Sequence, residues 1–272
     1  MENSQGAKFP DAEFLNEHCA KVNGADLILK GMGAFDNIKG LTVQYIKGVV
    51  VTLFFVAVIF TLEFFFLYQP FVAPFIDTYV EKINNFWSWF TYLVTPIAWI
   101  LKFIVWVLMV FLAMKIASLF MSFWLDKLVE KVIAHYRDAP DILFSFSKTA
   151  RNITKGLVLS TGNMIFAFAF LVLGFIPIIG PAFAFIGGSC SNGYDIMSPY
   201  LMILAESDDD LLKDFKITKS KTFISGFAQT ALTFVPAVGW FALPFTLIVQ
   251  VIGYTCYCEE KWQKQSKLIE NS

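Results

Sequence analysis

Histidine is nearly missing from this chain of 272 residues, which holds only His18 and His135. Two imidazoles so far apart leave little for a histidine-based metal site or for Ser–His catalysis. His135 also sits among charged residues, which points to a surface position. Charge is scarce too, at 16% of residues against about 25% in an ordinary soluble domain. The net charge of −1 offers nucleic acid no general attraction. There is no Gly-x-x-x-x-Gly-Lys-Ser/Thr loop, so nothing points to an ATPase. The four cysteines, Cys19, Cys190, Cys256 and Cys258, do not form the pattern of a secreted disulfide framework. Cys256 and Cys258 lack the companion ligands a metal needs. The apolar segments hold no paired carboxylates at catalytic spacing and no nucleophile beside a base. The sequence therefore predicts no enzyme, no catalytic residue, no metal and no cofactor.

What is abundant is apolar surface. Hydrophobic residues make up 57% of the chain, including 31 Phe and 7 Trp, too much for one soluble core of this size. Lipid is the expected solvent. Residues 1–47 are mostly polar and predict a cytoplasmic or interfacial segment, in which Asp11 caps a short helix through Ala20. Gly31, Gly33 and Gly40 predict a flexible or tightly turned approach to the membrane. Residues 48–68 then form an apolar run of roughly 31 Å as a helix, which matches the hydrocarbon core. Glu63 is its only charge. A carboxylate there is costly, and serves either a function or a contact at the headgroups or with a neighbouring helix. Residues 69–85, with Pro70 and Pro74, predict a loop or partial helix, followed by Trp87 and Trp89 at a membrane interface. A second span covers 97–125, roughly 43 Å if helical, so it must tilt or project. It contains Lys102 and Lys115. Residues 126–155 predict a charged, largely helical connection.

The middle and end of the chain carry a repeat. Phe175, Pro177 and Gly180 recur as Phe234, Pro236 and Gly239 at one constant offset of about 59 residues. With Pro181, these residues interrupt apolar helices, and broken backbone inside a membrane is tolerated only where protein or water covers it. Two helical hairpins result, at 156–204 and 222–258. The break in the second spreads from Pro236 to Pro244, leaving limbs of roughly 21 Å. Those are too short to cross about 30 Å of hydrocarbon, so this hairpin is expected to be re-entrant. The first is left open between crossing and re-entrant. Ser191 and Asn192 on its return limb suit either close helix packing or a hydrated path. Residues 207–210, Ser-Asp-Asp-Asp, predict a helix start. Lysine and arginine favour both termini in the cytoplasm, with 69–85 on the outside and 259–272 as a cytoplasmic tail. The fold class expected is an all-α integral membrane protein of two long transmembrane helices plus two Pro/Gly-broken hairpins, the membrane domain covering 48–258.

Phe175-Ile-Pro-Ile-Ile-Gly-Pro, its echo Phe234-Val-Pro-Ala-Val-Gly, and Lys216-Ile-Thr-Lys-Ser between them resemble the CysZ-type sulfate permease and etoposide-induced membrane protein family. The resemblance spans roughly residues 31 to 262. It implies sulfate uptake for cysteine synthesis, a homo-oligomer, and a bacterial inner membrane. It also implies a substrate site just before the first span, where the family carries Gly-Leu/Ile-Arg-Arg. Here Gly40-Leu41 is followed by Thr42-Val43. An anion there would meet the start of a helix, with Lys39 and Lys47 beside it and the Thr42 hydroxyl as a donor. Either lysine would equally serve as a headgroup anchor. Lys39, Gly40, Leu41, Thr42 and Lys47 are thus the substrate-binding candidates. Pro177, Gly180, Pro181, Ser191, Asn192, Pro236 and Gly239 are the candidates for a pathway. The alternative from the same family is a membrane scaffold or stress-response protein that transports nothing.

Overall fold

The computed structural model describes residues 10–86, 91–137, 161–163, 165–166, 168–170, 173–174, 176, 178–204, 219–233, 235 and 238–270. Every regular element among them is helical. They divide into two compact units, residues 1–49 with 122–272, and residues 50–121.

The larger unit begins with α1 (Ala12–Phe14), which widens into π-helical turns at Leu15–Cys19. Asp11 accepts the Phe14 N–H at 2.9 Å, the cap expected there. Asn23 caps α2 (Gly24–Asn37) by accepting the Ala25 N–H at 3.1 Å. A turn with Gly40 at φ 75 then leads into α3 (Leu41–Glu63). Gly31 does not serve flexibility. A methyl group on it would lie 2.0 Å from the Val249 carbonyl oxygen, and one on Gly253 would lie 1.9 Å from that of Leu27. The two glycines let α2 lie against α8 (Val238–Glu270) backbone to backbone. Gly33, by contrast, faces open space.

The same device joins α6 (Gly180–Leu204) to α7 (Lys219–Thr233). A methyl on Gly193 would lie 1.7 Å from the Thr222 oxygen, and one on Gly226 would lie 2.0 Å from that of Ser189. Among the described residues this pair is the most extensive helix contact, and α8 packs on both members. The first hairpin breaks where expected. Gly174, Ile178 and Ile179 turn, Ile178 takes φ 74, and α6 starts at Gly180 with Pro181 in its first turn, where a missing N–H costs nothing. The second breaks between Thr233 and Val238, with a bend at Val235.

That second break is narrower than expected. Pro244 lies inside α8, a helix of 33 residues. One missing backbone bond does not stop a helix whose later turns are held by α2, α6 and α7. The short-limb argument therefore applies to α7, at 15 residues or roughly 22 Å, and not to its partner. The tail expected at 259–272 continues the same helix to Glu270. Pro177, Pro236, Trp87, Trp89, the stretch at 207–210 and the connection beyond Arg137 lie outside the described residues.

In the smaller unit, α3 passes into π-helical turns at Phe64–Val72 and then α4 (Ala73–Phe86), before α5 (Thr91–Arg137), which re-enters the larger unit. Residues 69–85 are thus helical rather than a loop. Pro70 falls where the helix has already widened, with the Ala73 N–H reaching back five residues to the Tyr68 oxygen, so the chain continues past the absent donor. Leu41–Ile83 is the one stretch among the described residues long and apolar enough to cross a membrane, at 43 residues. The span expected at 48–68 lies inside it. Its outer face carries Phe54, Phe65, Phe66 and Phe71, all more than half exposed. The second expected span lies within α5, where Val94–Val110 is an apolar helix. Phe60 of α3 meets Trp106 of α5 edge-on at 5.5 Å. Lys102 pairs with Asp77 of α4 at 2.6 Å. The Lys115 side chain lies outside the described residues.

Candidate anion site at the start of α3

Ile38 and Leu41 are buried and fix the turn between α2 and α3. The Leu41 N–H bonds the Ile38 carbonyl at 3.2 Å, and the first bond of the helix runs from the Gln44 N–H to the Gly40 oxygen at 3.3 Å. The amides of Thr42 and Val43 precede that bond, so the helix itself offers them no acceptor. The positive end of the helix dipole is aimed at the same place. Lys39, Thr42 and Lys47 are exposed.

A further cation stands there. A side chain on residue 40 would begin 2.9 Å from the Nζ of Lys131, on α5. The register that brings Lys131 to this point is set by Trp124. Its indole donates to the Gln44 carbonyl at 2.6 Å, and its ring fills the space beside Gly48. Gly40 contributes its left-handed φ and its lack of a Cβ together, since a side chain there would displace the ammonium. This helix start thus brings together two amides and the Lys131 ammonium, with the exposed residues Lys39 and Thr42 next to it in the chain. Lys47 lies five residues beyond Thr42, roughly 7.5 Å further along the axis. Lys131 was not singled out from sequence. The only hint is that Trp124 and Lys131 share a helix face seven residues apart.

The pathway candidates sit elsewhere. Ser191 is buried, and its carbonyl accepts from the Asn163 amide at 3.2 Å, which also donates to Asp195 at 2.7 Å. The Asn192 amide donates to the Thr230 hydroxyl at 2.9 Å. Asn192 thus joins α6 to α7 beside their glycine contacts. Gly180 opens α6 against the Gly174 carbonyl, and Pro181 is exposed. Gly239 lies in the first turn of α8.

A second group of charges joins four helices of the larger unit. Arg137, at the end of α5, holds Glu259 of α8 through two bonds of 2.8 and 2.7 Å, and the Tyr200 hydroxyl donates to the same carboxylate at 2.8 Å. Beside it, Glu260 accepts from Tyr136 at 3.2 Å and pairs with Lys30 of α2. Burial alone would lower the Arg137 pKa, but the bonds and charge of Glu259 raise it on balance. Burial, with Cys256 and Glu260 nearby, drives the Tyr136 hydroxyl well above its usual range. Sequence reading placed this end of α5 in solvent, yet Val129, Val132 and Ile133 are buried.

Among the described residues every regular element is helical, and one long, exposed, apolar helix is able by length and composition to cross a membrane. Residues 27–244 match the family described as sulfate transporter CysZ/etoposide-induced protein 2.4, and the chain belongs to that family. A comparison with curated individual proteins gives no match.

Proposed function

We propose that this protein is a membrane permease for a small oxyanion, sulfate foremost, serving sulfur assimilation. The observation that carries the reading is the Lys131 ammonium beside Gly40 at the start of α3. In the family pattern arginines follow Gly-Leu. Here Thr42 and Val43 stand in those positions, and the lysine of another helix supplies positive charge to the same turn. A tetrahedral dianion suits that set, since it accepts from amides, a hydroxyl and ammonium groups at once. In this reading α3 and α5 are the two long spans. The α7 limb, roughly 22 Å, is too short to cross, so the second hairpin enters and leaves on one side. The lysine and arginine distribution favours both termini in the cytoplasm, and the family likeness favours a bacterial inner membrane and a homo-oligomer.

Uptake of labelled sulfate into proteoliposomes, with chloride and phosphate as comparisons, is the direct test. Flux that prefers sulfate supports the reading. Vesicles as tight as protein-free ones would end it. The second reading, a scaffold or stress protein of the same family, is favoured by the missing arginines and predicts those tight vesicles together with a partner captured on the larger unit.

A further inference from the structure

The N-terminal segment packs on the larger unit through groups that come from far along the chain. Leu15 and Cys19 are fully buried, and Phe14, Ala20 and Val22 nearly so. Phe14 meets the Trp262 ring of α8 edge-on at 5.0 Å. The Lys221 ammonium, at the start of α7, donates to the Asn16 side chain at 2.8 Å, and the Ser225 hydroxyl donates to the Val22 carbonyl at 3.1 Å. At the end of the π-helical turns, Cys19 lies against Cys258 of α8, thiol within hydrogen-bond reach of thiol. Both residues are 0% exposed, and both are free thiols.

The register of α8 selects this pair. Cys256 and Cys258 diverge by about 200° around the helix, and the Cys256 side chain faces Tyr136 of α5 instead. Two adjoining thiols can hold a soft metal ion or join as a disulfide. The surroundings decide between these. Binding a metal would turn both thiols into thiolates and add negative charge beside the Glu259 carboxylate. No group of three His, Cys, Asp or Glu able to hold a metal occurs among the described residues. A disulfide is as uncharged as the two thiols it replaces, so enclosure penalises neither form.

We propose that Cys19 and Cys258 are a modification site, at which a peroxide converts the two thiols to a disulfide that fastens the N-terminal segment to α8. The proposal does not rest on the permease reading. Because both sulfurs are enclosed, the reaction starts when the segment lifts and Cys19 meets water, where its thiolate can form. The Cys19 sulfur attacks one peroxide oxygen, the O–O bond breaks, and a sulfenic acid and one water result. Redocking returns that sulfur to Cys258, whose own sulfur attacks it. The S–S bond forms, the S–O bond breaks, and a second water leaves with the Cys258 proton. In sum two thiols give up two electrons to one peroxide, yielding one disulfide and two waters. In a reducing compartment such a bond persists only while oxidant is in excess, so the site would register peroxide. The segment also grips α7 through Asn16 and Val22, and the bond would hold one limb of the second hairpin to α8.

The test uses the full chain in detergent, reduced, freed of reductant and exposed to dilute hydrogen peroxide. Non-reducing digestion and mass analysis should find one linked peptide joining Cys19 to Cys258, cleaved by added thiol. It should be missing in Cys19→Ser and retained in Cys256→Ser. The unfolding midpoint of the wild type should rise by about 5–10 °C on oxidation and fall back on reduction, with no such shift in Cys19→Ser. A link from Cys19 to Cys256 overturns the proposal. So does recovery of Cys19 and Cys258 as free thiols after peroxide, or their oxidation to separate sulfinic acids. A linked peptide without the rise in midpoint overturns the fastening of the segment.

Discussion

Arg137 and Glu259 are joined by two hydrogen bonds of 2.8 and 2.7 Å, and their side chains are 8% and 0% exposed. A buried pair of this kind is costly to break from one side, because the remaining charge stays enclosed. Arg137→Met alone should lower stability by about 3–5 kcal/mol. The double variant Arg137→Met with Glu259→Leu should recover most of that loss. Thermal unfolding in detergent measures both, and a single variant as stable as wild type would contradict the enclosed pair.

The anion site gives a second expectation. Lys131→Ala should weaken sulfate binding about tenfold, or about 1.4 kcal/mol, whereas Lys131→Arg should retain most of it. Gly40→Ala should weaken binding too, by straining the φ of 75 and displacing the ammonium. Lys47→Ala should leave affinity unchanged. Titration calorimetry on the purified protein separates these four, and an effect of Lys47 equal to that of Lys131 would place the site elsewhere.

Gly31 and Gly33 are two residues apart on α2 and should respond with opposite signs. Gly31→Ala forces a methyl into the Val249 backbone and should cost about 2–3 kcal/mol. Gly33→Ala meets nothing within reach and should gain up to about 1 kcal/mol from helix propensity. The difference in midpoint on thermal unfolding checks the pair.

Tyr136 predicts an alkaline limit. Its hydroxyl keeps its proton in the folded protein above the pH at which an unfolded tyrosine, near pKa ~10, releases it. The unfolded state then binds fewer protons than the folded one, so stability falls as pH rises beyond about 10. Tyr136→Phe should flatten that decline while leaving the slope below about pH 9 unaltered. Unfolding midpoints across pH 8 to 11 provide the comparison.

Much of this fold was readable because lipid burial and helix breakage leave local marks. Asp11 announces its cap, and Gly180 with Pro181 announces the break at Ile178 and Ile179, through residues whose backbone chemistry permits little else. Pro70 and Pro244 carry the same residue type yet interrupt nothing. Whether a proline ends a helix depends on what grips the turns around it, and that grip comes from distant segments. Gly31 misled in a related way. Its small size was legible, but its use against Val249 depends on an approach between helices more than two hundred residues apart in the chain. The anion site was half legible. Gly40 and Thr42 sit in a local pattern, whereas Lys131 reaches them only because Trp124 sets how α5 lies along α3. Glu259 and Arg137 fall in the same class, as neighbours only after folding.

The adjacent carboxylates of α8 have a mechanical consequence. Glu259 is gripped from one side by Arg137 and Tyr200, and Glu260 from another by Tyr136 and Lys30. Successive residues of a helix diverge by about 100°, so the two grips act like a key in a slot. Twisting α8 about its own long axis would have to release both at once. That rod is locked against spinning at this end.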